Sequence, residues 1–306
     1  MRPRTAFAPM ILAVCLLVAC GGGDEGVGYE IPDTPDGTIR TVSSALADNH
    51  PEVVWDALPA SYRADIDQIK VQFAEKMDPE LYDRIFGLMR RAVRILQDKK
   101  EYILSSSLVD IDPDERDSIS QQWDATVESL ETVLSSEIST LDGLRALEPR
   151  AFLADTGARF MEQVSALADE ADDSEISFTD KLRGIQVETV DSSGDRATVR
   201  ITAPGEDVET VEMVRVEERW VPAEMARDWA QDVAEAKEQL ASMDEQKMAQ
   251  VKVQATFALT IADAFLEQLA AVDSVEAFDT IVKGMFGNLM GTVQPDLPPS
   301  PQGMDD

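Results

Sequence analysis

The stretch that decides the fold is residues 184–221, GIQVETVDSSGDRATVRITAPGEDVETVEMVRVEERWV. Apolar side chains recur at every second position in four short segments, which is the period of a β-strand that buries one face. Turn-forming residues at 192–195, 204–207 and 217–218 separate these segments. Consecutive strands joined by short turns pair antiparallel, so the stretch predicts a four-stranded β-meander.

Helical patterns fill the chain on both sides of this meander. Between residues 38 and 183, apolar residues recur at three- and four-residue spacing. Residues 223–283 contain neither Gly nor Pro, and an apolar seam steps by three and four from Met225 to Leu269. A continuous rod and two helices that restart at Ser242 to Glu245 both fit this seam. The sequence therefore predicts a mainly α fold with a small antiparallel β-meander (α+β) and long C-terminal helices.

The N-terminal segment has the features of an export signal. Arg2 and Arg4 precede an apolar, uncharged run over residues 6–19. That run is shorter than the roughly 20 residues that a membrane-spanning helix needs. It ends in Leu17-Val18-Ala19-Cys20, a small-residue site of the kind at which signal peptides are cleaved.

This tetrapeptide resembles the lipobox of bacterial lipoproteins. The resemblance implies that residues 1–19 are a signal peptide, and that Cys20 is acylated and anchors the chain to a membrane. In such lipoproteins a Gly after the cysteine, here Gly21, favours the outer membrane over the inner membrane. An ordinary signal peptide with a chance cysteine is the alternative.

Composition divides the remaining chain into three parts. Residues 20–37 begin with the acylated cysteine and are rich in Gly, Pro and acidic residues, which is typical of a flexible tether. Residues 38–292 are predicted to form the mainly helical domain that contains the meander. Residues 293–306 are Pro-rich and acidic, which predicts a disordered tail.

Charge and reactive residues exclude several classes of function. The net charge is −32, and it becomes −34 when Arg2 and Arg4 leave with the signal, so we expect no nucleic-acid partner. Cys15 also leaves with the signal, Cys20 is blocked by lipid, and His50 is the only histidine. Sites built from thiols or from several histidines are therefore excluded. We expect no catalytic residues, no metal and no cofactor.

The acidic stretch from Asp110 to Asp117 admits two interpretations. Alternate Asp residues supply oxygen ligands in a calcium loop, but an EF-hand needs Gly and Glu where this chain has Glu115 and Gln121. The other interpretation is a helix start, with Asp112 as the cap and Pro113 in the first turn. We favour the helix start.

Two stretches resemble the NTF2-like domains found in many bacterial lipoproteins. The first is a helix from Thr38 followed by VWDALPASYR at residues 54–63. The second pairs GDRATV at 194–199 with EERWV at 217–221, which is similar to two strands of that family. With a single histidine, the acid–His pair of the catalytic members has no counterpart here. The resemblance implies a related fold without catalysis.

Two functions from different classes remain. We favour a membrane-anchored, non-catalytic cell-envelope lipoprotein with a structural or protein-interaction role. In this case the seam from Met225 to Leu269 is buried against residues 60–170 or against an envelope protein partner.

The alternative is a small-ligand-binding, NTF2-like module in the envelope. Its pocket would be lined by Trp55, Tyr62 and Trp220, although aromatic residues at such spacing usually pack in the core. The strand residues of the meander are mid-sized and aliphatic, so we expect no ligand-sized cavity beside Trp220.

Overall fold

The computed structural model describes residues 29–108, 112–171 and 176–291. The predicted signal peptide, Cys20, the tether up to residue 28 and the tail at 293–306 lie outside the described residues. Among the helices of the described ranges, none combines the length and the apolar character that crossing a membrane requires.

Helices form most of the described chain, and the predicted mainly α class with one small antiparallel sheet is confirmed. Ten helices precede the sheet in the described ranges: α1 (Pro35–Ala47), α2 (Glu52–Asp56), α3 (Ala60–Lys76), α4 (Pro79–Asp98), α5 (Lys100–Leu104), α6 (Pro113–Leu134), α7 (Leu141–Ala146), α8 (Pro149–Phe152), α9 (Ala158–Ala171) and α10 (Phe178–Arg183). A 3-10 turn at Glu137–Ser139 and a π-helical turn at Leu153–Gly157 lie between them. Helix α6 begins at Pro113, which agrees with the interpretation of the acidic stretch as a helix start.

The four strands are β1 (Gln186–Ser193), β2 (Arg196–Thr202), β3 (Glu209–Val216) and β4 (Arg219–Pro222). They pair antiparallel in the order β1-β2-β3-β4, which confirms the predicted meander. One face of this sheet packs on α1 and α10, where Val199 and Trp220 meet Leu46 and Leu182 in the largest cluster of buried apolar residues.

The domain begins earlier than the sequence predicts. Residues 33–37 were expected in the flexible tether, but α1 starts at Pro35 and Thr34 caps it by accepting the amide of Gly37. Proline in the first turn and a Thr cap favour this helix start, and neither depends on apolar periodicity. Asp33 is held by Arg215 of β3 through two hydrogen bonds of 2.8 and 2.6 Å.

The long C-terminal region is broken into α11 (Ala223–Ala241), α12 (Glu245–Ala271) and α13 (Val275–Gly291). Of the two arrangements that the seam allows, the structure has the pair of helices, with Asp244 as the cap that accepts the amide of Lys247. Asp78 caps α4 in the same way, and Lys76 Nζ donates to the Met243 carbonyl. The break between α11 and α12 therefore lies beside the break between α3 and α4.

The seam is buried only in part. Leu266 and Leu269 pack in the core against Ile95, but Phe257 is 70% exposed. Of the two arrangements predicted for the seam, packing on residues 60–170 is therefore wrong for this part of α12, and burial against a partner stays a prediction. The physical reason is that α12 directs polar groups towards α4, where Lys252 bonds Asp78 at 2.9 Å.

The turn between β3 and β4 ties the sheet to α3. Glu217 adopts a positive φ of 55°, a conformation that costs energy for a residue other than glycine. Its carboxylate accepts the amides of Ala60 and Ser61 at the start of α3. The Ser61 side chain foremost, and these amide hydrogen bonds after it, hold the pKa of Glu217 below its usual value. The turn thus supplies the cap that α3 does not provide itself.

Candidate functional site

A cleft of about 1060 Å³ lies beside Trp220, between α1, strand β3 and the first turn of α11. Its volume is at the upper end of the range for small-molecule sites, roughly 300–1,000 Å³. The expectation that no ligand-sized cavity lies here is therefore wrong. The reason is the length of β4, whose four residues pair with only half of β3, so that the space beside the other half stays open.

Apolar side chains from three elements form most of the cleft wall. Helix α1 presents one face to it, because positions three, four and seven apart lie on the same side of a helix. Strand β3 contributes its whole length, and α11 contributes its start. The apolar residues among those lining the cleft include Ile39, Val42, Leu46, Val211, Met213, Trp220, Val221 and Met225.

Trp220 forms part of the wall near the paired end of β3. Its side chain is 6% exposed and stands opposite Arg215 across the β3–β4 pair. Its indole nitrogen is buried and has no hydrogen-bond partner among the described residues.

An ion pair closes the cleft beside Trp220. Arg215 lines the cleft and binds both carboxylate oxygens of Asp33. These hydrogen bonds hold the pKa of the Asp33 carboxyl below its usual value, and the nearby Trp220 indole lowers it further. The pair therefore keeps the N-terminal segment against the sheet at neutral pH.

The open half of β3 is acidic. Glu209 and Glu212 line the cleft there, and neither has an ion-pair partner in the part of the chain that the structure describes. Arg227, at the opposite wall, is already held by Asp228 at 2.7 Å. In a chain with a net charge of −32, this stretch favours a ligand with positive charge.

Of the three aromatic residues predicted to line a pocket, only Trp220 lies in the cleft. Trp55 is 4% exposed and packs against Leu58 and Leu153 in a separate cluster. Tyr62 stacks on Trp229 of α11, with ring centroids 4.0 Å apart. Trp55 and Tyr62 therefore pack in the core, which was the alternative for these residues, because each faces a neighbouring helix.

The sequence analysis did not identify Ile39, Val42 or Arg215 as cleft residues. In the sequence, the two α1 residues are ordinary members of an apolar stripe. Arg215 pairs with Asp33, which is 182 positions away, so local patterns do not show this contact. One signal was present in the sequence. The last strand-like segment is about half as long as the segment before it, and such a mismatch leaves part of a strand edge without a neighbour.

The single histidine lies outside this cleft. His50 Nδ1 is 2.9 Å from Glu52 Oε1, and its ring lies 5.5 Å from that of Tyr29. Within residues 29–108, 112–171 and 176–291, no group of three or more side chains is arranged to hold a metal ion.

Comparisons of the chain with protein-family models, with curated proteins and with solved structures found no match.

Proposed function

We propose that the chain is a cell-envelope lipoprotein, anchored through Cys20, whose folded part is a non-catalytic binding module. The single observation that supports binding is the cleft of about 1060 Å³ beside Trp220. Its wall is largely apolar. A concave apolar wall with few polar groups is the usual character of a ligand site.

An apolar fluorescent dye, bis-ANS, tests this proposal. Val211→Trp places an indole in the cleft and is expected to weaken dye binding by about tenfold or more, because it fills apolar space that the dye needs. The matched control is Val190→Trp on β1, since Val190 is 48% exposed and does not line the cleft. Both proteins and their parent carry Phe257→Asp, which removes the exposed apolar surface of α12 as a second dye site. Equal dye binding by all three proteins would contradict the proposal.

A second candidate function, partner assembly, is favoured by one face of α12. Val253, Phe257 and Ile261 are 70%, 70% and 45% exposed and lie on one side of the helix. We name these three residues the apolar strip. Residues 253–262 carry no charged side chain, in a protein where 28% of the residues are charged. An exposed apolar surface of this kind is typical of an interaction site.

The partner that fits the apolar strip is a second copy of the chain. Phe257 lies next to the midpoint of α12, so a two-fold axis there brings each strip against the other. A partner with the same strong negative charge needs a contact that is itself uncharged, and the strip provides one.

Sedimentation of the full-length chain in detergent tests self-association. We expect a monomer–dimer equilibrium that shifts towards the dimer with added salt, because salt screens the repulsion between the acidic copies. Phe257→Asp is expected to abolish the dimer, whereas Val190→Asp, an exposed valine on β1, is expected to retain it. A parent chain that stays monomeric at high concentration and high salt would rule out this candidate.

A further inference from the structure

Strand β3 is twice as long as its last neighbour, and this leaves an open edge in the cleft. The β3–β4 ladder pairs Met213 with Pro222 and goes no further towards the start of β3. Residues 209–212 are paired in register with β2 on one side, and no strand lies on the other side in the described chain. These four residues all line the cleft.

The geometry of the hairpin identifies which backbone groups face the cleft. A two-residue turn joins Val216 to Arg219, so these two residues form a hydrogen-bonded pair. Counting back from Val216, every second residue of β3 therefore points its N–H and C=O groups towards the β4 side. The amide of Arg215 donates to the Asp195 carbonyl at 2.8 Å. The residues of β3 in the same alternate positions as Arg215 therefore point their N–H and C=O groups towards β2. The N–H and C=O groups of Thr210 and Glu212 therefore point from the open edge into the cleft.

The opposite edge of the sheet is protected, which makes the open edge of β3 distinctive. Strand β1 is bulged between Thr189 and Asp191, and the Arg40 guanidinium donates to the Val187 carbonyl at 2.9 Å. Bulges and charged side chains are the usual devices that stop an edge from pairing with another strand. The pairing of β3 with β2 contains no bulge.

The two walls beside this edge provide contacts for side chains on both faces of an added strand. Ile39 and Val42 of α1 lie on the side of the buried sheet face, and Ala223 and Ala226 of α11 also line the cleft. Successive side chains of a strand point to opposite faces, so alternate side chains of a bound segment would meet these two walls.

We infer that the cleft binds an extended peptide segment as an additional strand, hydrogen-bonded to Thr210 and Glu212 of β3. This inference rests on the proposed function and specifies the class of ligand. Main-chain hydrogen bonds supply affinity in this mode of recognition, and side-chain pockets supply specificity. The carboxylate of Glu212, on the exposed face of β3, selects a segment in which Lys or Arg on that face alternates with aliphatic residues on the other.

The two terminal segments that lie outside the described residues and remain after loss of the proposed signal peptide do not have this chemistry. Residues 294–306 contain four prolines and three aspartates, and residues 20–28 are mostly glycine with two acidic residues. Proline has no amide to donate to a strand edge, and acidic residues are repelled by Glu209 and Glu212. The occupant is therefore a cationic segment of another protein.

The test uses the full-length chain in detergent and the synthetic peptide acetyl-Lys-Val-Lys-Val-Lys-Val-Lys-amide. Bound peptide is expected to slow hydrogen exchange at the amides of Thr210 and Glu212, with little change at Val211, which already faces β2. Two further peptides carry backbone N-methyl groups, one on the valines and the other on the internal lysines. Only alternate residues of an added strand bond to its neighbour, so one of these two peptides should lose affinity by about tenfold or more and the other should not.

A protein variant tests the same hydrogen bond from the other side. Thr210→Pro removes an amide that points to the cleft and takes no part in the β2 ladder, and proline is tolerated at such edge positions. We expect it to weaken peptide binding by about tenfold, the equivalent of about 1.4 kcal/mol, whereas Thr210→Val retains affinity. The acidic peptide acetyl-Glu-Val-Glu-Val-Glu-Val-Glu-amide should not bind.

The outcomes separate this inference from the proposed function. A cleft that binds bis-ANS, but shows neither peptide binding nor slowed exchange at Thr210, overturns strand addition and leaves the binding module in place. The inference is also overturned if both N-methylated peptides lose affinity equally or if neither loses affinity, because the hydrogen bonds then do not alternate along the peptide. A cleft that binds neither dye nor peptide removes both proposals.

Discussion

Replacing Leu269 with Asp is expected to lower the free energy of unfolding by about 3–5 kcal/mol, because a charge without a partner would be buried in the core. Leu269 is 6% exposed and packs with Ile95 of α4 and with Val272 and Phe278, which belong to the turn and to α13. Urea denaturation followed by circular dichroism measures the loss. A protein of this kind has only about 5–15 kcal/mol of stability in total, so the variant should melt far below its parent.

Phe257→Asp is the matched control, since it makes the same kind of change on the same helix. Phe257 is 70% exposed, so the added carboxylate stays hydrated, and the unfolding free energy should change by less than about 0.5 kcal/mol. The comparison is made at protein concentrations where the chain is monomeric. Similar losses for the two variants would contradict the placement of α12, in which one end is buried and the middle is exposed.

Replacing Cys20 with Ser is expected to stop acylation and to leave a precursor that still carries residues 1–19. The lipobox-like sequence Leu17 to Cys20 is the basis for this expectation. Two or more acyl chains hold a protein stably on a membrane, whereas a single chain is marginal, so loss of acylation should have an all-or-none effect. Cell fractionation and intact-mass measurement detect the location, the added acyl mass and the presence of residues 1–19.

Cys15→Ser is the control on the same segment. Cys15 lies inside the apolar run and is expected to leave with the signal peptide, so its replacement should change neither the location nor the mass of the mature protein. A parent chain that is soluble and carries no added mass at Cys20 would contradict the anchor.

Local patterns predicted the secondary structure well where a single cause determines it. The alternation of residues 184–221 gave four strands and three turns at the expected places. Pro113 opened a helix, because proline is favoured in a first turn whatever packs on it. These features depend on residues that are neighbours in the chain, and a sequence displays such neighbours directly.

The sequence did not determine how helices pack or where space remains. The apolar seam of residues 223–270 fitted both one helix and two, and in the structure its break at Asp244 lies beside the break of the neighbouring helix pair at Asp78. The cleft arises from the difference in length between β3 and β4 together with the positions of α1 and α11. Contacts between distant parts of the chain fix both features, so apolar spacing alone did not reveal them.

The side-by-side arrangement of α3 with α11 and of α4 with α12 also governs how the chain folds. The Trp229 indole donates to Asp65 across 164 residues, and Lys252 donates to Asp78 across 174 residues. Contacts that far apart close long loops, and proteins rich in them fold slowly. Neither helix pair can form these contacts until the C-terminal third of the chain has been synthesised. The residues of α3 and α4 that α11 and α12 cover, such as Tyr62 and Ile95, therefore stay uncovered until then, a state in which chaperone binding competes with aggregation.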